Sequence, residues 1–328
     1  MSGALVVGRV WCTCRGSRYC DEGWQREVFC LVMGKTGRMC PSQGGPRGGP
    51  HGDRGGGQRG GRGYGSWDPD GGRLTLSRGS AIPLLGLGTW DLRGRAGYEA
   101  IRDALEVGYR HIDTATGYGN EAEVGRAVHD SGLPREEVFV TTKLAPEDAG
   151  RPAAALSASL SRLGMDYVDL WLVHWPPRGR AAPETWEQLL AARDDRRARD
   201  VGVSNYSTAQ VDELIRTSGV APAVNQVRWG PTLYDPRFAA ECRDRGLVLE
   251  GYSPLRSSRL DDPVLMEVAR RYGVSTAQVI IRWHIEHRVV VIPKSGSRER
   301  LAENFGVWDW SLGEREMSQV DGLSTALA

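Results

Sequence analysis

Four residues of complementary chemistry fall at the ends of consecutive apolar runs: Asp113, Tyr118, Lys143 and His174. They lie in the strings GYRHIDTATGYGNEAEVG, VFVTTKL and YVDLWLVHWP. A carboxylate, a phenol, an amine and an imidazole gathered in one place make a proton-handling site. A carbonyl that accepts hydride builds negative charge on its oxygen and needs a donor poised there. A phenol is too weak an acid for that task unless a neighbouring cation stabilises its phenolate. Lys143 can supply the cation, Asp113 can hold the ammonium charged and aimed, and His174 can share the oxyanion and orient the substrate. Taken singly, each residue has a plainer explanation: loop packing, a helix cap, a satisfied core histidine. Their joint position at the ends of successive strands is what argues for a site, which then lacks only a hydride or a metal.

The elements that must position them recur along the chain. Apolar runs appear at Pro83–Leu87, Tyr109–Asp113, Val138–Lys143, Val168–His174, Val201–Val203, Val224–Val227, Val248–Tyr252 and Val289–Pro293. A mean spacing of ~30 residues is the length of one βα unit. Amphipathic stretches lie between them. Tyr98, Ile101 and Leu105 form one apolar stripe, and Ser207 with Gln210 forms a capping-box pair ahead of Val211, Leu214 and Ile215. The pattern predicts an α/β fold: a (β/α)8 barrel over residues 71–328. A small hairpin over Arg73 to Ser80, turning at Gly79, precedes the first barrel strand. In such a barrel the strand C-termini share one open mouth, where the chemistry sits.

Residues 1–70 are different in kind. From Pro41 to Ser66 glycine dominates, with Arg47, Arg54, Arg59 and Arg62 scattered among few apolar side chains. Such a stretch buries too little to offset its ordering entropy, so a disordered extension is expected. An Arg-Gly-rich nucleic-acid segment is the functional alternative, but Tyr64 is its only large ring, and no nucleic-acid partner is expected. Five of six cysteines crowd the first forty residues without a C-x-x-C pair, so no metal site is expected there. Only Cys242 lies in the rest, which fits a reducing cytoplasm. The net charge of +1 and the lack of a long apolar run point away from a membrane partner.

Other motifs fail on spacing. GLGTWD at Gly86 lacks the third glycine of a dinucleotide fingerprint, and Gly34-Lys35-Thr36 has Phe29 where a phosphate loop needs its first glycine. His284 and His287 lack the carboxylate pattern of a metalloprotease helix.

From about residue 73 to 323 the chain resembles the aldo-keto reductase family, most of all bacterial members of the 2,5-diketo-gluconate reductase type. The long first signature carries the family's catalytic Asp and Tyr at Asp113 and Tyr118. TTKL carries its Lys at Lys143, and LVHWP its His at His174. The resemblance implies NADPH as cofactor. VGVSNYS and AVNQV place carboxamide-holding groups at Ser204, Asn205 and Gln226. GYSPL places a nicotinamide-stacking ring at Tyr252, with Ser253 and Leu255 near the pyrophosphate. VIPKSGSRERLAENF places the adenosine-phosphate site at Lys294, Ser295, Arg300 and Asn304, and GLGTW adds Gly88 and Thr89 to the cofactor contacts. Trp90, Trp175 and His174 are expected at the substrate, with Trp229 a further candidate.

The chain departs from the family pattern in several loops. Ala145 stands where many relatives have Trp, Arg228-Trp229-Gly230-Pro231 replace Glu-x-His-Pro, Arg196 replaces a glycine, and Ser297 stands where some relatives have a second phosphate-binding Arg. None touches the four proton-handling residues. The reading is a monomeric, cytoplasmic reductase of small carbonyls. Its rival is a non-catalytic barrel that holds the cofactor as a redox sensor or subunit.

Overall fold

The computed structural model describes residues 72–327. The expectation for residues 1–70 therefore lies outside the described residues. A two-stranded antiparallel hairpin opens the described chain, with β1 (Arg73–Thr75) paired to β2 (Ala81–Pro83). Gly79 turns it at a φ of 96°, in the left-handed region that glycine enters without strain. The strand expected over Pro83–Leu87 is divided differently: Pro83 completes the hairpin, and the first barrel strand is only β3 (Leu87–Gly88). The apolar run is continuous there, so periodicity alone could not show where the chain changes sheets.

Seven further strands follow: β4 (His111–Asp113), β5 (Phe139–Leu144), β6 (Val168–Val173), β7 (Ala198–Ser204), β8 (Val224–Arg228), β9 (Val248–Tyr252) and β10 (Val290–Ile292). They pair in parallel and in chain order. A parallel bridge between Leu85 and Val291 joins the first edge to the last, with Val291 N donating to Leu84 O at 2.7 Å. The eight-stranded barrel is thereby closed, which leaves no edge to pair with another chain. Every residue of β5 and β6 is buried, because packed interior side chains cover one face and helices the other.

The outer layer comprises α1 (Gly94–Val107), α2 (Glu121–Asp130), α3 (Pro152–Leu163), α4 (Pro183–Asp194), α5 (Thr208–Ser218) and α6 (Pro236–Asp244). It continues with α7 (Pro263–Tyr272), α8 (Thr276–Glu286), α9 (Arg298–Phe305) and α10 (Glu314–Asp321). Helix α1 buries Ala100, Ile101, Ala104 and Leu105, and each such leucine or isoleucine contributes roughly 1.5–3 kcal/mol. The capping box of Ser207 and Gln210 is present at α5, and Ser275 with Gln278 repeats it at α8. Arg196 takes a φ of 61°, so an arginine occupies the left-handed turn before β7 that glycine would enter at lower cost.

Candidate active site

Asp113 ends β4, Lys143 lies near the end of β5, and His174 follows β6. Tyr118 closes a single 3-10 turn after β4, fixed by Tyr118 N donating to Ala115 O at 3.0 Å. The four side chains expected from the sequence therefore meet at the barrel mouth. Lys143 Nζ donates to Asp113 Oδ1 at 2.6 Å and to Thr114 O at 2.9 Å, and it stands 5.1 Å from the centre of the Tyr118 ring. The Tyr118 and His174 rings meet edge to face at 5.7 Å.

Burial and charge compete at each group. Burial favours a neutral lysine at position 143, but Asp113 and Tyr118 outweigh it and hold the ammonium charged. Burial pushes the Asp113 carboxyl up, while Lys143 and the Gln226 amide pull it down. For Tyr118 the balance differs from the sequence expectation. Burial raises the phenol above its ordinary value, and Lys143, although it pulls downward as expected, does not reverse it. A Tyr118 that keeps its proton is a loaded donor. Burial, aided by Lys143, pushes His174 down to about 3, so its imidazole is neutral and keeps one N–H to offer an oxyanion.

A cleft of about 910 Å³ runs from these groups across the mouth. Gly88, Trp90, Ser204, Asn205, Gln226, Tyr252, Ser253, Leu255 and Lys294 all line it, as expected, together with Trp175. The amides are already organised. Ser204 Oγ donates to Gln226 O at 2.8 Å, Asn205 Nδ2 donates to His174 O at 3.2 Å, and Tyr252 Oη donates to Asn205 Oδ1 at 3.0 Å. Trp90 and Trp175 are 52% and 48% exposed, large apolar surfaces left open at the rim. The residues present fit a dinucleotide: amide groups and an aromatic ring near the proton-handling set, and the Lys294 cation farther along the same cleft.

Other expected residues sit elsewhere. Thr89 is buried and donates from Oγ1 to Asp113 O at 2.9 Å, so it anchors the loop rather than lining the cleft. Ser295 and Asn304 are buried, Arg300 is exposed on α9, and none of the three lines the cleft. Trp229 is not a pocket wall: it is 3% exposed and packs against Tyr234 and Phe238.

Sequence reasoning missed several supports. Asn120 donates from Nδ2 to Thr89 O and Leu92 O, and accepts from Thr114, tying the first two loops together. Gln226 Nε2 donates to Asp113 Oδ2 at 2.9 Å, a link across 113 residues that no local pattern signals. Asp91 and Arg256 also line the cleft, and Arg256 stands 5.4 Å over the Trp90 ring.

A closed parallel barrel with proton donors at one end of a cleft shaped for a dinucleotide defines an oxidoreductase of the barrel type. Comparison with known proteins narrows this. Residues 84–325 match the model of the aldo/keto reductase family. An aldo-keto reductase of Mycolicibacterium smegmatis is 43% identical over 257 residues, covering 77% of this chain and 94% of its own length. Morphine 6-dehydrogenase of Pseudomonas putida is 42% identical over 271 residues, with 77% and 92% covered. The crystal structure of a Bombyx mori aldo-keto reductase in complex with NADP superposes with a TM-score of 0.72 at 33% identity, covering 76% of this chain and 92% of that one. The chain belongs to the aldo/keto reductase family.

Proposed function

We propose that this enzyme reduces aldehydes or ketones to alcohols with NADPH, and that Tyr118 Oη delivers the proton. One observation carries the assignment: the buried Lys143 ammonium is aimed by Asp113 and faces the Tyr118 ring, just beneath the cleft that Asp113 and Tyr118 line. When bound, the nicotinamide supplies the hydride. The neutral His174 imidazole and the Tyr118 hydroxyl bracket the position of the carbonyl oxygen. As negative charge grows there, the Tyr118 proton moves to it, and Lys143 stabilises the phenolate left behind. Solvent then reprotonates Tyr118 through the open mouth.

In this reading Ser204, Asn205 and Gln226 hold the carboxamide, and Tyr252 supports the ring. Ser253 and Leu255 border the pyrophosphate. Lys294, where it lines the cleft, meets the adenosine 2′-phosphate, and Arg300, exposed on α9 outside the cleft, is its second cation in this reading; the buried Ser295 and Asn304 support the loop and helix that carry them. A dianion of that kind is best met by charge-assisted hydrogen bonds. Trp90 and Trp175 form apolar walls for the substrate, and the name of the Pseudomonas relative supports trying ring alcohols and ketones alongside small aldehydes. Among the described residues no helix is long and apolar enough to cross a membrane. A cytoplasmic monomer that binds no nucleic acid completes the proposal; the net charge of +1 bears on the last point alone, since it offers no basic excess for a nucleic acid.

The test is a carbonyl panel followed by loss of NADPH absorbance. Turnover of at least one aldehyde or ketone is expected, with smaller rates for NADH. Absence of turnover across aliphatic, aromatic and dicarbonyl members would contradict the proposal.

A further inference from the structure

Below the proton-handling set lies a carboxyl that the mechanism above does not use. Glu250 sits on β9, two residues before Tyr252 and on the same inward face of the strand. It is fully buried, and apart from the neighbouring Gln226 amide, which favours its charged form, its oxygens make no well-formed hydrogen bond. A buried polar group so poorly paired is costly, and barrels of this kind fill such positions with branched apolar side chains. A carboxyl kept there at that cost calls for a chemical account.

Its surroundings supply one. From β4 it faces His111, whose Nε2 lies 3.7 Å from Glu250 Oε1, and Asp113 above it. From β5 come the Lys143 ammonium and Thr141, the latter 3.2 Å from the same His111 nitrogen. From β8 the Gln226 amide, its register partner, faces it and bonds Asp113 at 2.9 Å. On β10 the register partner is Val290, which is uncharged. From the hairpin, the charge of Arg73 bears on His111. Gly86 leaves the space for this arrangement, since a Cβ there would meet His111 Nδ1 at 2.6 Å.

We propose that Glu250 is a positioning residue for the proton transfer, acting through Lys143 on the Tyr118 phenol. The proposal rests on the reading of Tyr118 as proton donor. Burial, with the Asp113 charge, pushes the Glu250 carboxyl up to about 8, and burial pushes His111 down to about 3. At neutral pH both are therefore uncharged, and their approach is not an ion pair. Lys143 then answers to one carboxylate only, and its remaining field falls on Tyr118. Ionisation of Glu250 places a second negative charge beside the ammonium. That charge opposes the growing oxyanion and makes the phenol a weaker acid.

Glu250→Gln removes the ionisation and keeps the shape. Turnover of wild type and variant is measured in both directions from about pH 6 to about pH 11, across the carboxyl's range and into the phenol's. In reduction, the ratio of variant to wild-type turnover climbs about tenfold as pH rises through the carboxyl's range, the scale of one added charge acting through a protein interior. In alcohol oxidation, which needs the phenolate, the rising limb of the variant lies about one pH unit lower. Infrared spectroscopy reads the carboxyl directly: a protonated-carboxyl band disappears near pH 8 in the wild type and is missing from the variant. Parallel pH profiles, including a uniform loss of rate at every pH, would show a merely structural role and overturn the proposal. So would the lack of that band. A wild type that reduces no carbonyl would remove the Tyr118 reading itself, whatever the infrared titration shows.

Discussion

Replacing Lys143 with methionine isolates the electrostatic core of the account. The Nζ stands 5.1 Å from the Tyr118 ring centre in a buried setting. One unit charge acting on another at that distance, with an effective dielectric of about 20, is worth about 3 kcal/mol. That corresponds to about 2 pH units on the phenol. Lys143→Met should therefore move the phenolate-dependent limb of alcohol oxidation up by about 2 pH units and cut oxidation at fixed neutral pH about a hundredfold. Cofactor affinity, read from quenching of tryptophan emission, should hardly change, because Lys143 lies beneath the cleft and does not line it. Stability should also fall. Asp113 would keep the Gln226 bond but lose its cation, and breaking a buried pair costs about 3–5 kcal/mol. Thermal unfolding must accordingly show a folded variant at the assay temperature. A folded Lys143→Met protein with an unmoved pH limb would refute the claim that this ammonium tunes Tyr118.

Two further outcomes follow, the first from the proposed cofactor reading and the second from burial. Arg300→Ala should weaken NADPH binding by roughly ten- to a hundredfold, the scale of one charge-assisted contact, while NADH binding stays unchanged; an equal loss for both cofactors would remove Arg300 from the 2′-phosphate. His111 and His284 are buried and pushed by desolvation to about 3 and about 4, below their ordinary 6.5, so the unfolded chain takes up protons that the folded barrel refuses. Stability from these groups is complete above about pH 6.5 and is lost as pH falls toward 4. Glu250, raised by burial, acts in the opposite sense and costs stability as pH rises from about 4.5 toward 8. The buried histidines should thus give the thermal midpoint an acid limb below about pH 6.5, His284→Asn should flatten that limb, and a profile without one would contradict the burial argument.

Much of this was legible in the chain because strand ends carry long, ordered motifs. All eight barrel strands fall within a few residues of the apolar runs, and Asp113, Tyr118, Lys143 and His174 meet as their spacing implies. What stayed hidden depends on which way a side chain turns. Trp229 reads as a pocket wall by composition, but its backbone carries it into packing with Tyr234 and Phe238. Thr89 reads as a cofactor contact, but its hydroxyl is committed to Asp113 O. Glu250 looks like a stray acid in GLVLEGY, although its shared parity with Tyr252 was a signal that it points inward. The raised pKa direction of Tyr118 depends on burial, which motif spacing does not report.

The central claim is that Tyr118 Oη gives the proton in NADPH-dependent carbonyl reduction. Single-turnover reduction by Tyr118→Phe, under conditions where chemistry limits the rate, tests it most directly. The account predicts a rate lower by roughly a hundredfold or more, the scale of losing a general acid, with NADPH affinity nearly unchanged. A phenylalanine variant that reduces its carbonyl at close to the native rate would contradict it.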